Sequence, residues 1–113
     1  MINEYTSSDG FSCSQLLIPV KDMKKNELDN MISICFIIKG FPLSLERLYG
    51  CTKLVDINCS NCGVKTLEGL DRCVNLKRLN CESNKIKELK HIENCVNLEY
   101  LNINYNKIVT LHP

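Results

Sequence analysis

Residues 76–97 read LKRLNCESNKIKELKHIENCVN, and this stretch decides the fold. Its apolar residues and one asparagine fall at positions 1, 4, 6, 9, 11, 14, 17 and 20 of a 22-residue frame: Leu76, Leu79, Cys81, Asn84, Ile86, Leu89, Ile92 and Cys95. One short strand and one return segment therefore point their apolar groups to the same side. Such a unit cannot bury that side alone, so it is stable only when stacked on near-copies of itself.

The same frame recurs on both sides of this stretch, over residues 54–75 and 98–113. The last copy stops at position 16, and the first carries Cys62 at position 9, where the later two carry asparagine. Because identical crossovers follow each strand, the strands are predicted to be parallel and stacked at about 4.8 Å. The predicted strands are Asp56–Asn58, Arg78–Asn80 and Tyr100–Asn102.

Residues 32–53 are predicted to be a degenerate repeat with a fourth strand at Ile34–Ile37. In this frame Ile32, Cys35 and Ile37 take the inward positions 1, 4 and 6. Phe36 then faces outward, and so does residue 38, which means that another segment must cover both. A terminal cap is the usual cover in a repeat array.

Residues 1–31 are therefore predicted to be an N-terminal cap segment, and residues 54–113 three repeats, the last one truncated. Within the cap, a short strand is predicted in Gln15–Val20, ending at Pro19. Apolar residues with helical spacing indicate a helical turn or two in Asp22–Met31.

Composition excludes some partner classes. With 14 basic and 13 acidic residues the net charge is +1, so no strong field attracts nucleic acid or an anionic membrane. No run approaches the roughly 20 apolar residues of a membrane span, and the first residues lack the features of a secretory signal. We expect no nucleic-acid or membrane partner and a cytoplasmic location, in the host cytoplasm if the gene is viral.

The eight cysteines are predicted to be reduced core residues. Five of them recur at 22-residue intervals, where the frame requires a small apolar group: Cys51, Cys73 and Cys95, and Cys59 with Cys81. The sequence CSNC at residues 59–62 is also half of a zinc site or a redox pair. Since no second CxxC or histidine cluster accompanies it, we expect no metal and no cofactor.

The motif LxxLxCxxNxIxxLxxLxxCxN resembles the 22-residue class of leucine-rich repeats found in internalin-like and related bacterial, protist and giant-virus proteins. The resemblance implies the α/β class, as a right-handed solenoid with short parallel strands on its concave face. Its convex face would carry 3₁₀ or extended return segments. It also implies protein–protein binding through the strands without catalysis. Asn84 and Asn106 would turn inward as structural residues that satisfy backbone groups.

The candidate partner-binding residues are those that point outward from the predicted strands and the turns after them: Asp56, Asn58, Arg78, Asn80, Glu82, Tyr100, Asn102, Asn104 and Tyr105. Tyr100 and Tyr105 are aromatic anchors of the kind enriched in binding hot spots. A solvated face without a partner gives the same pattern. Lysines also stack on the loop edge, where they would steer an acidic partner: Lys65 with Lys87, and Lys85 with Lys107.

Three functions remain open from the sequence. The first is a protein-interaction module that uses the concave face. The second is the N-terminal fragment of a longer repeat protein with no binding function of its own, in which the open last repeat also permits self-association. The third is a cysteine-based metal or redox protein. No triad, paired-carboxylate cleft or phosphate-binding loop is visible, so we expect no enzyme.

Overall fold

The repeating apolar pattern produces one sheet whose strands follow the order of the chain. The structure is a computed structural model that describes residues 2–6, 12–16, 24–36 and 42–109. Its sheet has the order β1-β2-β3-β4-β5-β6. These strands are β1 Ile2–Thr6, β2 Ser12–Leu16, β3 Ser33–Phe36, β4 Asp56–Asn58, β5 Arg78–Asn80 and β6 Tyr100–Asn102. Helix α1, Lys25–Asp29, precedes β3, and a 3₁₀ helix, Glu46–Gly50, lies between β3 and β4.

The three strands predicted from the clearest repeats are confirmed at their predicted bounds. They are parallel, and Ile57 pairs with Leu79, which pairs in turn with Leu101. The steps from β4 to β5 and from β5 to β6 are therefore 22 residues each, as the frame requires. Ile57 and Leu79 are fully buried, so the middle residue of each of these two strands points into the core.

Hydrogen bonds explain why the return segments carry an apolar residue at every third position. In the segment after β4, the backbone N–H of Leu70 bonds to Leu67, that of Cys73 to Leu70, and that of Leu76 to Cys73. Each bond closes a turn of 3₁₀ type, which has three residues per turn. The side chains of these four residues therefore align on one side, and all four are at most 1% exposed.

The predicted frame of residues 32–53 is wrong by one residue at its first strand. Ile34, not Cys35, pairs with Ile57, so this step of the sheet is 23 residues long. Phe36 consequently faces the core with 6% exposure, whereas Ile32, assigned to an inward position, is 60% exposed. From Leu45 onward the 22-residue spacing returns, so the extra residue lies between Phe36 and Leu45. The strand itself is Ser33–Phe36 rather than Ile34–Ile37, and residues 37 and 38 lie outside the described residues.

The N-terminal region extends the sheet with a hairpin. β1 and β2 pair antiparallel, and β2 then pairs with β3 in parallel. The strand predicted in Gln15–Val20 is therefore misplaced: it begins at Ser12 and ends at Leu16, and residues 17–20 lie outside the described residues. The predicted helical turn is present as α1, whose Leu28 is fully buried at the start of the core.

The core continues through the stacked repeats and becomes more open toward β6. Leu76, Leu79 and Cys81 are fully buried, but their counterparts in the next repeat are only partly buried: Leu98, Leu101 and Ile103. Within the described residues, no helix has the length and apolar character of a bilayer span.

Candidate functional site

The candidate site is the side of β4, β5 and β6 that points away from the core. In β5, for example, Arg78 and Asn80 flank the buried Leu79 and are half-buried themselves. The parallel register places equivalent side chains in two columns: Asp56, Arg78 and Tyr100, and Asn58, Asn80 and Asn102. We call these columns, with Glu82, Asn104 and Tyr105 in the turns that follow, the strand face. The strand face so defined consists of the nine predicted partner-binding residues.

Arg78 is held between its two neighbours in the first column. Its Nε lies 3.8 Å from Oδ2 of Asp56, and its Cζ lies 4.6 Å from the centre of the Tyr100 ring. The side chains of Asp56 and Arg78 are each 19% exposed, so solvent screens this pair less than a fully exposed one. A carboxylate, a guanidinium and an aromatic ring thus form one ordered strip across three strands.

The asparagine side chains of the second column form hydrogen bonds with the backbone of their own turns. Oδ1 of Asn58 accepts a hydrogen bond from the backbone N–H of Ser60, at 3.1 Å. Asn80 and Asn102 repeat this bond with the residues two positions further on, at 3.1 and 3.0 Å. These are Asx turns that end the strands. The three oxygens are therefore committed to the backbone, which reduces what this column offers to a partner.

Tyr105 combines high exposure with an unfavourable backbone conformation. The residue at this point of each repeat has a positive φ: 52° at Asn61, 59° at Ser83 and 58° at Tyr105. Asparagine tolerates this left-handed region, but a bulky aromatic residue rarely adopts it. The Tyr105 side chain is nevertheless 79% exposed, so burial in this chain does not compensate for the strain.

Asn84 and Asn106 face inward and bond to the backbone of the neighbouring repeat. Nδ2 of Asn84 donates to the carbonyls of Cys59 and Cys81, both at 2.9 Å, while its Oδ1 accepts from Cys62 and Val64 at 3.0 Å. Nδ2 of Asn106 likewise donates to the carbonyl of Cys81 at 2.9 Å. These contacts join successive repeats, so we assign these two residues to stability and not to the strand face.

Cys62 replaces asparagine at this position and keeps a donor contact of the same kind. Its Sγ lies 3.6 Å from the carbonyl oxygen of Phe36, which is equivalent to the Asn84 contact with Cys59. A thiol is a weak acceptor, so it cannot serve backbone N–H groups as a carboxamide does.

A second polar cluster lies on the return side, where no site was predicted from the sequence. Nδ1 of His91 lies 2.8 Å from Oδ2 of Asp71, and this hydrogen bond lowers the pKa of Asp71. Nearby, Cζ of Arg72 lies 4.8 Å from the centre of the Tyr49 ring. An open cleft of about 330 Å³ is lined by Glu46, Tyr49, Glu68, Gly69, Asp71 and His91. The pairing of His91 and Asp71 was not visible in the sequence because they occupy non-equivalent positions of neighbouring repeats, 20 residues apart instead of 22.

The cysteines whose side chains the structure describes lie in the core. Seven of them, the ones whose side chains the structure describes, are buried free thiols. Burial raises the pKa of Cys73 and of Cys81 to about 12, which keeps both thiols protonated and unreactive near neutral pH. In the described part of the chain, no three histidine, cysteine, aspartate or glutamate side chains lie close enough together to hold a metal ion.

Comparison with known protein families agrees with this geometry. Residues 74–113 match the family model described as "Leucine Rich repeats (2 copies)", which supports a leucine-rich repeat protein. Repeats of this family generally mediate protein–protein interaction and typically have no catalytic activity. No curated protein matches the chain.

Proposed function

We propose that the leucine-rich repeats matched at residues 74–113 continue a single right-handed solenoid that includes β3 and β4, and that its concave strand face binds a protein partner. The parallel register of β3 to β6 supports one continuous stack. A right-handed crossover is the rule for parallel strands of one sheet. The return segments, with their 3₁₀ turns, would then form the convex side.

The arrangement of Arg78 is the observation that carries this proposal. Immobilising a long side chain normally costs conformational entropy when a complex forms. Here the Arg78 guanidinium already lies beside the Asp56 carboxylate and the Tyr100 ring when no partner is bound. Arginine and tyrosine are also the residue types that contribute most often to binding hot spots. This ordered strip is therefore well suited to a protein contact.

Tyr105 gives independent support from backbone strain. Strained residues persist when the surrounding structure determines them, and they cluster at functional sites. An aromatic side chain that is 79% exposed at φ 58° gains little within its own chain. Contact with a partner protein would bury this side chain and so offset the backbone strain.

The experiment compares two matched arginine–tyrosine pairs on opposite sides of the protein. The purified chain and two double variants are used to capture proteins from cell extract, with quantitative mass spectrometry as readout. The strand-face variant is Arg78→Ala with Tyr100→Ala. The control is Arg72→Ala with Tyr49→Ala, which removes the same kind of contact, 4.8 Å instead of 4.6 Å, from the return side.

We expect at least one captured protein to be lost from the strand-face variant and retained by the control. Circular dichroism must show that both variants remain folded. If the two variants lose the same proteins, or if only the control loses them, the strand face is not the binding surface.

A second candidate is self-association through the repeat that contains β6. The observation that favours it is the partial exposure of Leu98, Leu101 and Ile103, whose counterparts one repeat earlier are fully buried. Analytical ultracentrifugation would detect a concentration-dependent dimer. An Ile103→Lys variant should remain monomeric if this surface is used. We further propose a cytoplasmic location, because buried thiols such as those of Cys73 and Cys81 suit a reducing compartment.

A further inference from the structure

Although the net charge is only +1, basic and acidic residues are concentrated in different parts of the repeats at residues 54–75 and 76–97. The segments just after the strands, residues 61–65, 83–87 and 105–109, contain four lysines and no acidic residue. The lysines are Lys65, Lys85, Lys87 and Lys107, and we call them the lysine edge. The segments that follow, 66–71 and 88–93, carry one lysine, Lys90, and four acidic residues: Glu68, Asp71, Glu88 and Glu93.

The backbone holds the lysine edge in a regular arrangement. The N–H of Lys85 donates to the carbonyl of Val64, and that of Lys107 to the carbonyl of Ile86, at 2.8 and 3.0 Å. Val64 and Ile86 are fully buried, whereas the lysines on either side of Ile86 are exposed. This alternation turns the lysine side chains outward from paired extended segments, with successive repeats about 4.8 Å apart.

Lysines stacked in this way repel one another. Lys85 lies one repeat from Lys107, and Lys65 one repeat from Lys87. Like charges opposite each other on neighbouring strands are destabilising. None of the four forms an ion pair with an acidic residue in residues 24–36 or 42–109. An anionic partner would relieve this repulsion at the same time as it binds.

We infer that the lysine edge binds an extended acidic segment of a partner protein, with carboxylates at alternate positions. Alternate side chains of an extended chain are spaced about 6.6 Å apart, which matches Lys85 and Lys87 within one segment. The edge is only three repeats long, and Glu82 and Glu88 flank its central segment. A short peptide fits this patch better than a long polyphosphate chain, which needs a continuous basic groove. This surface is separate from the strand face, so either inference can fail alone.

The test is a titration of the ¹⁵N-labelled full chain followed by two-dimensional NMR at low salt. The probe is a peptide with glutamate at every second position, and a second peptide replaces each glutamate with glutamine. A uridine homopolymer and phosphatidylserine vesicles represent the other anionic classes. The edge variant is Lys85→Gln with Lys107→Gln, and the matched control is Lys77→Gln with Lys90→Gln, two exposed lysines outside the edge.

We expect the glutamate peptide to shift the amide signals of residues 85–87 and 107–109, and the glutamine peptide to leave them unchanged. The edge variant should bind about tenfold more weakly, since it loses two screened charge contacts, while the control stays within about twofold. The inference is overturned by equal weakening in both variants, by shifts confined to other residues, or by no shift at all. Tighter binding of the RNA or the vesicles would also overturn it, because the partner would then not be a protein.

Discussion

Oδ1 of Asn84 lies 3.0 Å from the backbone nitrogen of Val64, which belongs to the preceding repeat, and accepts its hydrogen bond. The same oxygen accepts the N–H of Cys62. One side chain therefore serves two buried backbone groups of another repeat. Asn84 is only 6% exposed, so water cannot replace it.

Replacing Asn84 should consequently be costly. In Asn84→Ala, two backbone N–H groups lose their acceptor, at about 1–3 kcal/mol for each buried group left unsatisfied. Urea denaturation should show a loss of at least about 2 kcal/mol in the free energy of unfolding. Asn106→Ala is the matched control, and its cost should be smaller because Asn106 is more exposed. Equal losses in the free energy of unfolding would mean that burial does not determine how much the asparagine contributes to stability.

The central apolar column gives a second stability prediction. Leu79→Ala removes a fully buried side chain between Ile57 and Leu101, and should lower the free energy of unfolding by about 2–5 kcal/mol. Leu101→Ala, in the same column but only partly buried, should cost less. A melting temperature of Leu79→Ala within a degree or two of the wild type would refute the placement of Leu79 in the core.

Stability should fall at alkaline pH because of the buried thiols. Burial raises the pKa of Cys73 and Cys81 to about 12 from an ordinary value of 9.0, so the folded state holds these protons more tightly than the unfolded state. The resulting stabilisation is complete below pH 9.0 and is lost as the pH rises from there toward about 12. Urea denaturation at pH 8 and pH 10, with reductant present, measures the effect. Cys73→Val should show a flatter pH dependence than the wild type, and an unchanged slope would count against a protonated thiol in the core.

The strain at Tyr105 leads to a prediction in the opposite direction. Tyr105→Asn places a residue that tolerates φ 58° at this position and should raise the free energy of unfolding by up to about 1 kcal/mol. Tyr49→Asn, a change of the same type in the 3₁₀ helix, should give no such gain. If Tyr105→Asn is also impaired in partner capture, the strain serves binding. A destabilised Tyr105→Asn would show that the tyrosine side chain contributes to folding.

The strands β4, β5 and β6 could be predicted from the sequence because only one register aligns the inward-facing residues of the three clearest repeats. The error at β3 has a physical origin. Ile32 to Phe36 belong to a stretch that is apolar on both sides of a strand, so alternation does not distinguish a frame that begins at Met31 from one that begins at Ile32. The extra residue before Leu45 leaves no signal of its own.

The columns of side chains in the candidate site could be predicted from the sequence, but the contacts between those side chains could not. Spacing alone places Asp56, Arg78 and Tyr100 on neighbouring strands. It does not show that the Arg78 side chain lies along the sheet against the Tyr100 ring, because rotamers depend on the surrounding packing. Nor did spacing reveal that the oxygen of Asn80 bonds to the N–H of Glu82, which gives a predicted partner-binding residue a structural role as well.

Hydrogen-bond scalar couplings test the stacking of the repeats most directly. In a long-range HNCO experiment, the amide of Cys59 should correlate with the carbonyl of Asn80, and the amide of Cys81 with that of Asn102, since these bonds measure 2.8 and 2.9 Å. The amide of Val55 should correlate with the carbonyl of Ile32, which places the 23-residue step at β3. Correlation of the Cys59 amide with any other carbonyl, or exchange of this amide as fast as in an unfolded chain, would contradict the stacked parallel repeats.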